Sequence, residues 1–178
     1  MTRRLVVVLG GTRSGKSRFG LERARSLSEG GRVTYLATAR QGDPELDLRI
    51  AAHREARPMS WPTIEVTDDL GATIRSVDRE DVILLDGLTL WLSAVTGNET
   101  PEIEPFLEGP VAAALAAIRD RTGPVVVVSD EIGLGTVPMD AAARGFRDLL
   151  GLVHQRFAAA ADEVQLMIAG LPLTLRDR

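Results

Sequence analysis

The stretch Leu5-Val6-Val7-Val8-Leu9-Gly10-Gly11-Thr12-Arg13-Ser14-Gly15-Lys16-Ser17 decides the fold. Its first five residues are a continuous apolar run, β-branched in the middle, as expected of a strand buried on both faces. Gly10 to Ser17 then fits G-x-x-x-x-G-K-[ST], and Ser17 to Ser28 reads as a helix, so the motif sits between a strand and a helix, the setting of a phosphate-binding loop (P-loop). The glycines let the backbone curl until successive N–H groups point at phosphate oxygens, and the helix N-terminus adds partial positive charge. Lys16 is the residue to bridge phosphates and act in catalysis, and Ser17 the one to offer a hydroxyl to Mg²⁺. Gly10, Gly11, Thr12, Arg13, Ser14, Gly15, Lys16 and Ser17 are therefore candidate nucleotide contacts.

Outward from this motif, strand and helix patterns alternate. Strands are expected at Val33–Ala37, Thr63–Val66, Val82–Asp86, Val125–Ser129 and Val164–Ala169, the last closing the series. Helices are expected from Pro44, behind an Asp43 cap, to about Ala56, and over Asp68–Val77, Leu88–Val95, Val111–Arg121 and Ala141–Ala161. Gly97 to Pro110, rich in Gly, Pro and Glu, reads as a surface loop. The alternation predicts an α/β chain, a three-layer P-loop NTPase-type fold with a mostly parallel central sheet, as one domain over residues 1–178. Ligands of such sheets gather at the C-terminal strand ends, which here carry Gly10 to Ser17, Thr38, Asp86 and Ser129-Asp130-Glu131. Asp86 ends an apolar strand and is the natural carboxylate for the same Mg²⁺.

Composition narrows the chemistry. With no cysteine, the chain has no disulfide, thiolate metal site or cysteine nucleophile. A net charge of −4 at pH 7, with scattered basic residues, argues against a nucleic-acid partner and for a small molecule. No apolar run approaches the roughly 20 residues that span a bilayer, so no membrane insertion and a cytoplasmic location are expected. Of 21 lysine and arginine residues, only Lys16 is lysine. A compact ammonium on a flexible stem reaches between phosphate oxygens where a guanidinium does not substitute freely, which accords with the motif. The absence of any other lysine also weakens a GTPase-switch reading, which wants an Asn-Lys-x-Asp guanine reader.

A helical wheel over the segment before Pro58 puts Leu46, Ile50, His53 and Arg57 on one face, with Arg49 beside them. His53 then points at the protein body with Arg49 and Arg57 one turn to either side. Two neighbouring cations disfavour imidazolium, leaving a neutral ring able to act as nucleophile or base while the arginines hold an anion. From physics alone, a lone histidine on an apolar face is more often a structural residue. His154, flanking the apolar stripe of the last helix, reads as structural, as does Trp91.

Together, Gly10-Gly-Thr-Arg-Ser-Gly-Lys-Ser-Arg18, Val33-Thr-Tyr-Leu-Ala-Thr-Ala39, Arg49-Ile50 with His53 and Arg57-Pro58, Trp61-Pro-Thr-Ile-Glu65, Leu85-Asp-Gly-Leu-Thr-Leu-Trp-Leu-Ser93, Glu131-Ile-Gly-Leu-Gly-Thr-Val-Pro138, Arg144-Gly-Phe-Arg-Asp148 and Ala169-Gly-Leu-Pro-Leu173 resemble a known family. It is the bifunctional adenosylcobinamide kinase/adenosylcobinamide-phosphate guanylyltransferase of cobalamin biosynthesis, and the resemblance runs from about Leu5 to Leu175. It implies phosphorylation of adenosylcobinamide by a nucleoside triphosphate (ATP or GTP), then transfer of GMP from GTP onto the phosphate, with release of pyrophosphate. It implies a covalent guanylyl-histidine, with His53 at the family's histidine position. It also implies GTP contacts at Thr38, Ala39, Arg40, Ala56, Arg57, Pro58, Met59, Glu65 and Asp86, with Glu65 facing the guanine N–H edge, and a homotrimer.

Two positions depart from the family pattern. Asp130 stands where an asparagine is expected before the glutamate, adding negative charge near the phosphates, and Gly87 stands where a cysteine often follows the aspartate. Glu131 is open between general base for the kinase step and metal-shell carboxylate. The competing readings are a P-loop kinase of another small hydroxylated substrate, and a nucleotide-binding regulator without transfer chemistry.

Overall fold

The computed structural model describes residues 4–39, 51, 57–97 and 101–178. Seven strands, β1 (Leu5–Gly10), β2 (Val33–Ala37), β3 (Thr63–Glu65), β4 (Val82–Asp86), β5 (Val125–Asp130), β6 (Glu163–Ile168) and β7 (Leu171–Asp177), form one sheet in the order β3-β2-β4-β5-β1-β6-β7. All neighbours are parallel except β6 and β7. The apolar runs form the central strands because both faces of each are covered. Leu5, Val7 and Leu9 of β1 pack on one side with Trp91, Leu149 and Phe157, while Val6 and Val8 pack on the other with Ala24 and Phe19.

Helix α1 (Lys16–Ser28) covers the second face. It lies close to the sheet because Gly20 has no side chain; a Cβ there would stand 2.6 Å from Val128 Cγ2. On the first face lie α2 (Leu70–Ser76), α3 (Leu88–Thr96), a short α4 (Ile103–Phe106), α5 (Ala112–Arg119) and α6 (Ala141–Ala160). Asp69 caps α2 by accepting from Ala72 N, and Asp140 caps α6 by accepting from Ala143 N. The expected three-layer α/β arrangement is thus present. Among the described residues, no helix is long and apolar enough to cross a membrane.

Two segments differ from expectation. Gly97 to Pro110 is not wholly a loop: Ile103–Phe106 is α-helical and runs through a π-helical turn, Leu107–Val111, into α5. Phe106 and Leu107 are buried, with the Phe106 ring 5.9 Å from that of Trp91, so core packing overrides a loop-like composition. The widened turn accommodates Pro110, which has no N–H to give to the helical ladder. The strand series also does not end at Ala169, because β7 pairs back on β6. Ala169 and Gly170 form the two-residue connection with φ values of 52° and 82°, the left-handed pair that a tight hairpin needs. The helix expected from Pro44 to Ala56 lies outside the described residues apart from Ala51.

Charge clamps the second face. The buried Glu163 at the start of β6 takes Arg23 of α1 at 3.2 and 3.1 Å through Nε and at 2.5 Å through Nη2, and Arg4 at 2.8 Å. Burial pushes the Glu163 carboxyl up, but the two guanidinium groups outweigh it and hold it below the ordinary range. Replacing Arg23 by Met, which keeps the apolar stem, is expected to cost about 2 kcal/mol of unfolding free energy in a urea titration, with the loss shrinking as acid protonates Glu163.

Candidate active site

The phosphate loop is shaped by two left-handed residues, Arg13 at φ 57° and Gly15 at φ 92°. Ser14 N donates to Gly11 O at 3.2 Å, and Gly170 N from the β6–β7 hairpin donates to Ser14 O at 2.9 Å, so the curl is held from inside and outside. Helix α1 has no side-chain N-cap and no acidic residue in its first turn, which leaves its N-terminal dipole directed at an incoming anion. Lys16 Nζ lies 2.6 Å from Asp130 Oδ1 and 3.3 Å from Gly11 O. Ser14 Oγ is buried against Gly10 and finds no hydrogen-bond partner among the described residues. Gly10 tolerates nothing larger, since a Cβ would stand 2.4 Å from that oxygen.

A second group lies along the same edge, at the ends of β2, β3 and β4. Thr38 Oγ1 accepts from Gly87 N and donates to Gly87 O, both at 2.8 Å, which ties the turn after β2 to the turn after Asp86. Tyr35 OH donates to Asp86 Oδ2 at 3.3 Å, and the Arg57 guanidinium lies over the Tyr35 ring, 4.4 Å from its centroid. Burial first, and the Asp86 charge second, push the Tyr35 phenol above its ordinary value, so it stays a donor to that carboxylate. Ala39 follows Thr38, and Glu65 is exposed at the end of β3 in register with Ala37. Pro58 O accepts from Trp61 N at 3.1 Å, while Met59 is fully exposed and joins neither group. Arg40, His53 and Ala56 lie outside the described residues.

A buried polar chain runs behind the phosphate loop. Asp130 N donates to Thr89 Oγ1 at 2.8 Å, Thr89 Oγ1 lies 3.0 Å from Ser129 Oγ, and Ser129 Oγ lies 2.7 Å from His154 Nε2. His154 Nδ1 is 3.6 Å from Glu131 Oε2, and Glu131 Oε1 accepts from Gly133 N at 2.6 Å. Burial lowers the His154 pKa below the ordinary histidine value, against the raising influence of Glu131 and Asp130. His154 is therefore buried as expected of a structural residue, yet its Nε2 is bonded to Ser129 within β5 and its Nδ1 faces Glu131, the first residue after that strand.

The family model described as "Cobinamide kinase / cobinamide phosphate guanyltransferase" matches residues 6–175. The chain belongs to that family. It is 39% identical over 171 residues to the bifunctional adenosylcobalamin biosynthesis protein CobP of Pseudomonas aeruginosa, covering 96% of both chains. It is 34% identical over 183 residues to the bifunctional adenosylcobalamin biosynthesis protein CobU of Salmonella typhimurium, covering 97% of this chain and 99% of the relative. Among solved structures, the flagellar accessory protein FlaH from Methanocaldococcus jannaschii aligns with a TM-score of 0.58 at 14% identity, over 99% of this chain and 80% of its own. A solved ATPase domain aligns with a TM-score of 0.50 at 14% identity, over 92% of this chain and 69% of its own. At that identity the likeness carries the P-loop fold alone.

Sequence reasoning did not find Tyr35 as the donor to Asp86, Gly170 as the outer support of the phosphate loop, or the Thr89–Ser129–His154 chain. A polar Ser129 ending a run of valines was the available signal for the last.

Two outcomes follow from this geometry. The Asp130→Asn variant removes a negative charge that competes with phosphate for Lys16, and is expected to tighten nucleoside triphosphate binding several-fold in a calorimetric titration. For His154, the folded pKa lies below the unfolded value near 6.5, so the unfolded chain binds the extra proton as pH falls through that window. Stability is therefore full above about pH 6.5 and declines below it; thermal melts across that range are expected to show a component that His154→Phe lacks.

Proposed function

We propose that the chain, as one nucleotide-binding domain, catalyses both family reactions: phosphorylation of adenosylcobinamide by a nucleoside triphosphate, and transfer of GMP from GTP to adenosylcobinamide phosphate. The observation that supports this most is that the phosphate loop with Lys16 and the group Thr38, Arg57, Asp86 stand along one sheet edge. Together they give room for triphosphate and nucleoside recognition by one chain.

In the proposed transfer, the amides of Gly10 to Ser17, together with Lys16, hold the triphosphate and disperse its charge. A nitrogen of His53 attacks the α-phosphorus of GTP; the N–P bond forms, the bond to the β-phosphate oxygen breaks, and pyrophosphate leaves. An oxygen of the adenosylcobinamide phosphate then attacks the same phosphorus and the N–P bond breaks, giving adenosylcobinamide-GDP and free histidine. Arg57, with Arg40, steadies anionic oxygens, while Thr38, Ala39, Ala56, Pro58 and Glu65 contact the nucleoside. Covalent capture divides one difficult displacement into two easier ones.

Mg²⁺ fits the donor set: a hydroxyl from Ser17 in the first turn of α1 and a carboxylate from Asp86 at the end of β4 are hard oxygen ligands, to be completed by phosphate oxygens and water. When bound, it neutralises charge on the phosphates. The proposed setting is a cytoplasmic homotrimer, and the exposed Leu171, Leu173 and Leu175 of edge strand β7 support association with other copies.

The test is incubation with Mg²⁺ and GTP labelled at the α-phosphate. Acid-labile, base-stable label is expected on the protein and is expected to vanish in His53→Ala. A protein that binds GTP but takes no label would reduce the function to that of a plain P-loop kinase.

A further inference from the structure

We propose that His154 is a positioning residue for the kinase half of the reaction: its Nδ1–H holds the Glu131 carboxylate where that carboxylate accepts the proton of the substrate hydroxyl. This rests on the kinase reading above and assigns two residues within it.

The Glu131 carboxylate beside Nδ1 selects the direction of the buried chain, and with it the ring nitrogen that carries the proton. Asp130 N can only donate, so Thr89 Oγ1 accepts from it and has its own proton free for Ser129 Oγ at 3.0 Å. The Ser129 hydroxyl then gives its proton to His154 Nε2 at 2.7 Å. With Nε2 accepting, a neutral ring carries its proton on Nδ1, the nitrogen 3.6 Å from Glu131 Oε2. The opposite direction would set a bare Nδ1 lone pair against a carboxylate, so it is disfavoured. Burial keeps the ring neutral, which is the state this tautomer requires.

The other end of the Glu131 carboxylate is held by Gly133 N at 2.6 Å. One oxygen is thus fixed by its own loop, while the other faces His154 of α6 at 3.6 Å, an ion-pair separation that a small shift shortens to a hydrogen bond, on a side chain that keeps 21% of its surface accessible. Its backbone amide is bonded to Gly10 O at 3.0 Å, and the preceding Asp130 touches Lys16. A carboxylate so restrained beside the phosphate loop suits a base that works without reorganising. In the step it serves, the substrate hydroxyl oxygen attacks the γ-phosphorus, the new O–P bond forms, the bond to the β-phosphate oxygen breaks, the nucleoside diphosphate leaves, and the hydroxyl proton passes to Glu131.

Two replacements of His154 divide its contacts. The amide nitrogen of His154→Asn falls near the Nδ1 position and can still donate to Glu131, but the side chain is too short for Ser129. In His154→Gln the amide reaches Ser129 and no atom occupies the Nδ1 position. The assays are phosphorylation of adenosylcobinamide by labelled γ-phosphate, and labelling of the protein by α-labelled GTP. The expected result is a loss of kinase turnover by about 30-fold or more in His154→Gln, recovery to within a few-fold of the unaltered chain in His154→Asn, and unchanged protein labelling in both. Glu131→Gln should lose at least as much, and adding His154→Gln to it should cost little more. Equal kinase rates in the Asn and Gln variants, or parallel loss of both half-reactions, would overturn the assignment. A chain that takes the α-label but phosphorylates nothing would overturn the kinase reading itself while leaving the transferase intact.

Discussion

The backbone hydrogen bond from Glu131 N to Gly10 O, 3.0 Å long, is the rung at which β1 and β5 part company. Below it the two strands are locked in register from Leu5 with Val125 to Gly10 with Asp130. Above it one chain curls into the phosphate loop and the other into the acidic turn that begins with Glu131. Because that last rung is shared, Asp130 has to lie beside Lys16, and Glu131 has to emerge next to whatever the loop holds. The chemistry is thus positioned by the most rigid part of the molecule, the middle of a sheet buried on both faces.

The two halves of the site are held by different means. The phosphate loop depends on backbone geometry, with amides curled by left-handed residues and braced by Gly170 of the terminal hairpin. The second group depends on side chains reaching between strand ends, with Thr38 bonded to Gly87 and Tyr35 joining Asp86 to Arg57. A backbone cradle suits any phosphate, whereas a side-chain network can discriminate a nucleoside. That division matches a family whose members use triphosphates in two reactions but draw GMP from one of them.

The parallel strands were legible because burial on both faces leaves an unbroken apolar run, as in Val125 to Val128, and such runs have few competing explanations. Strand β7 was not, because it is an exposed antiparallel edge interrupted by Pro172, and its Ala-Gly turn is an uncommon hairpin signal. The segment around Phe106 was misjudged for the opposite reason: its Gly, Pro and Glu content suggests a loop, while two buried side chains decide the outcome. In the candidate site, the turn from β1 into α1 was readable because the Gly10–Ser17 motif is local, and the place of Asp86 because it ends an apolar strand. His154 and Ser129 were not, since nothing near either residue announces a partner on another element. Where His53 sits lies outside the described residues, so its reading rests on helical spacing and resemblance.

The place of β1 in the sheet has a consequence for how the chain reaches its native state. The first strand lies between β5 and β6, both of which come far later in the chain. Its contacts are therefore of high sequence separation, and closing them demands loop entropy before any pairing repays it. A nascent chain carrying the whole Gly10–Ser17 motif still lacks the neighbours that hold it curled. Nucleotide can stabilise only late, nearly complete conformations, so ligand present during refolding would slow unfolding far more than it would speed folding.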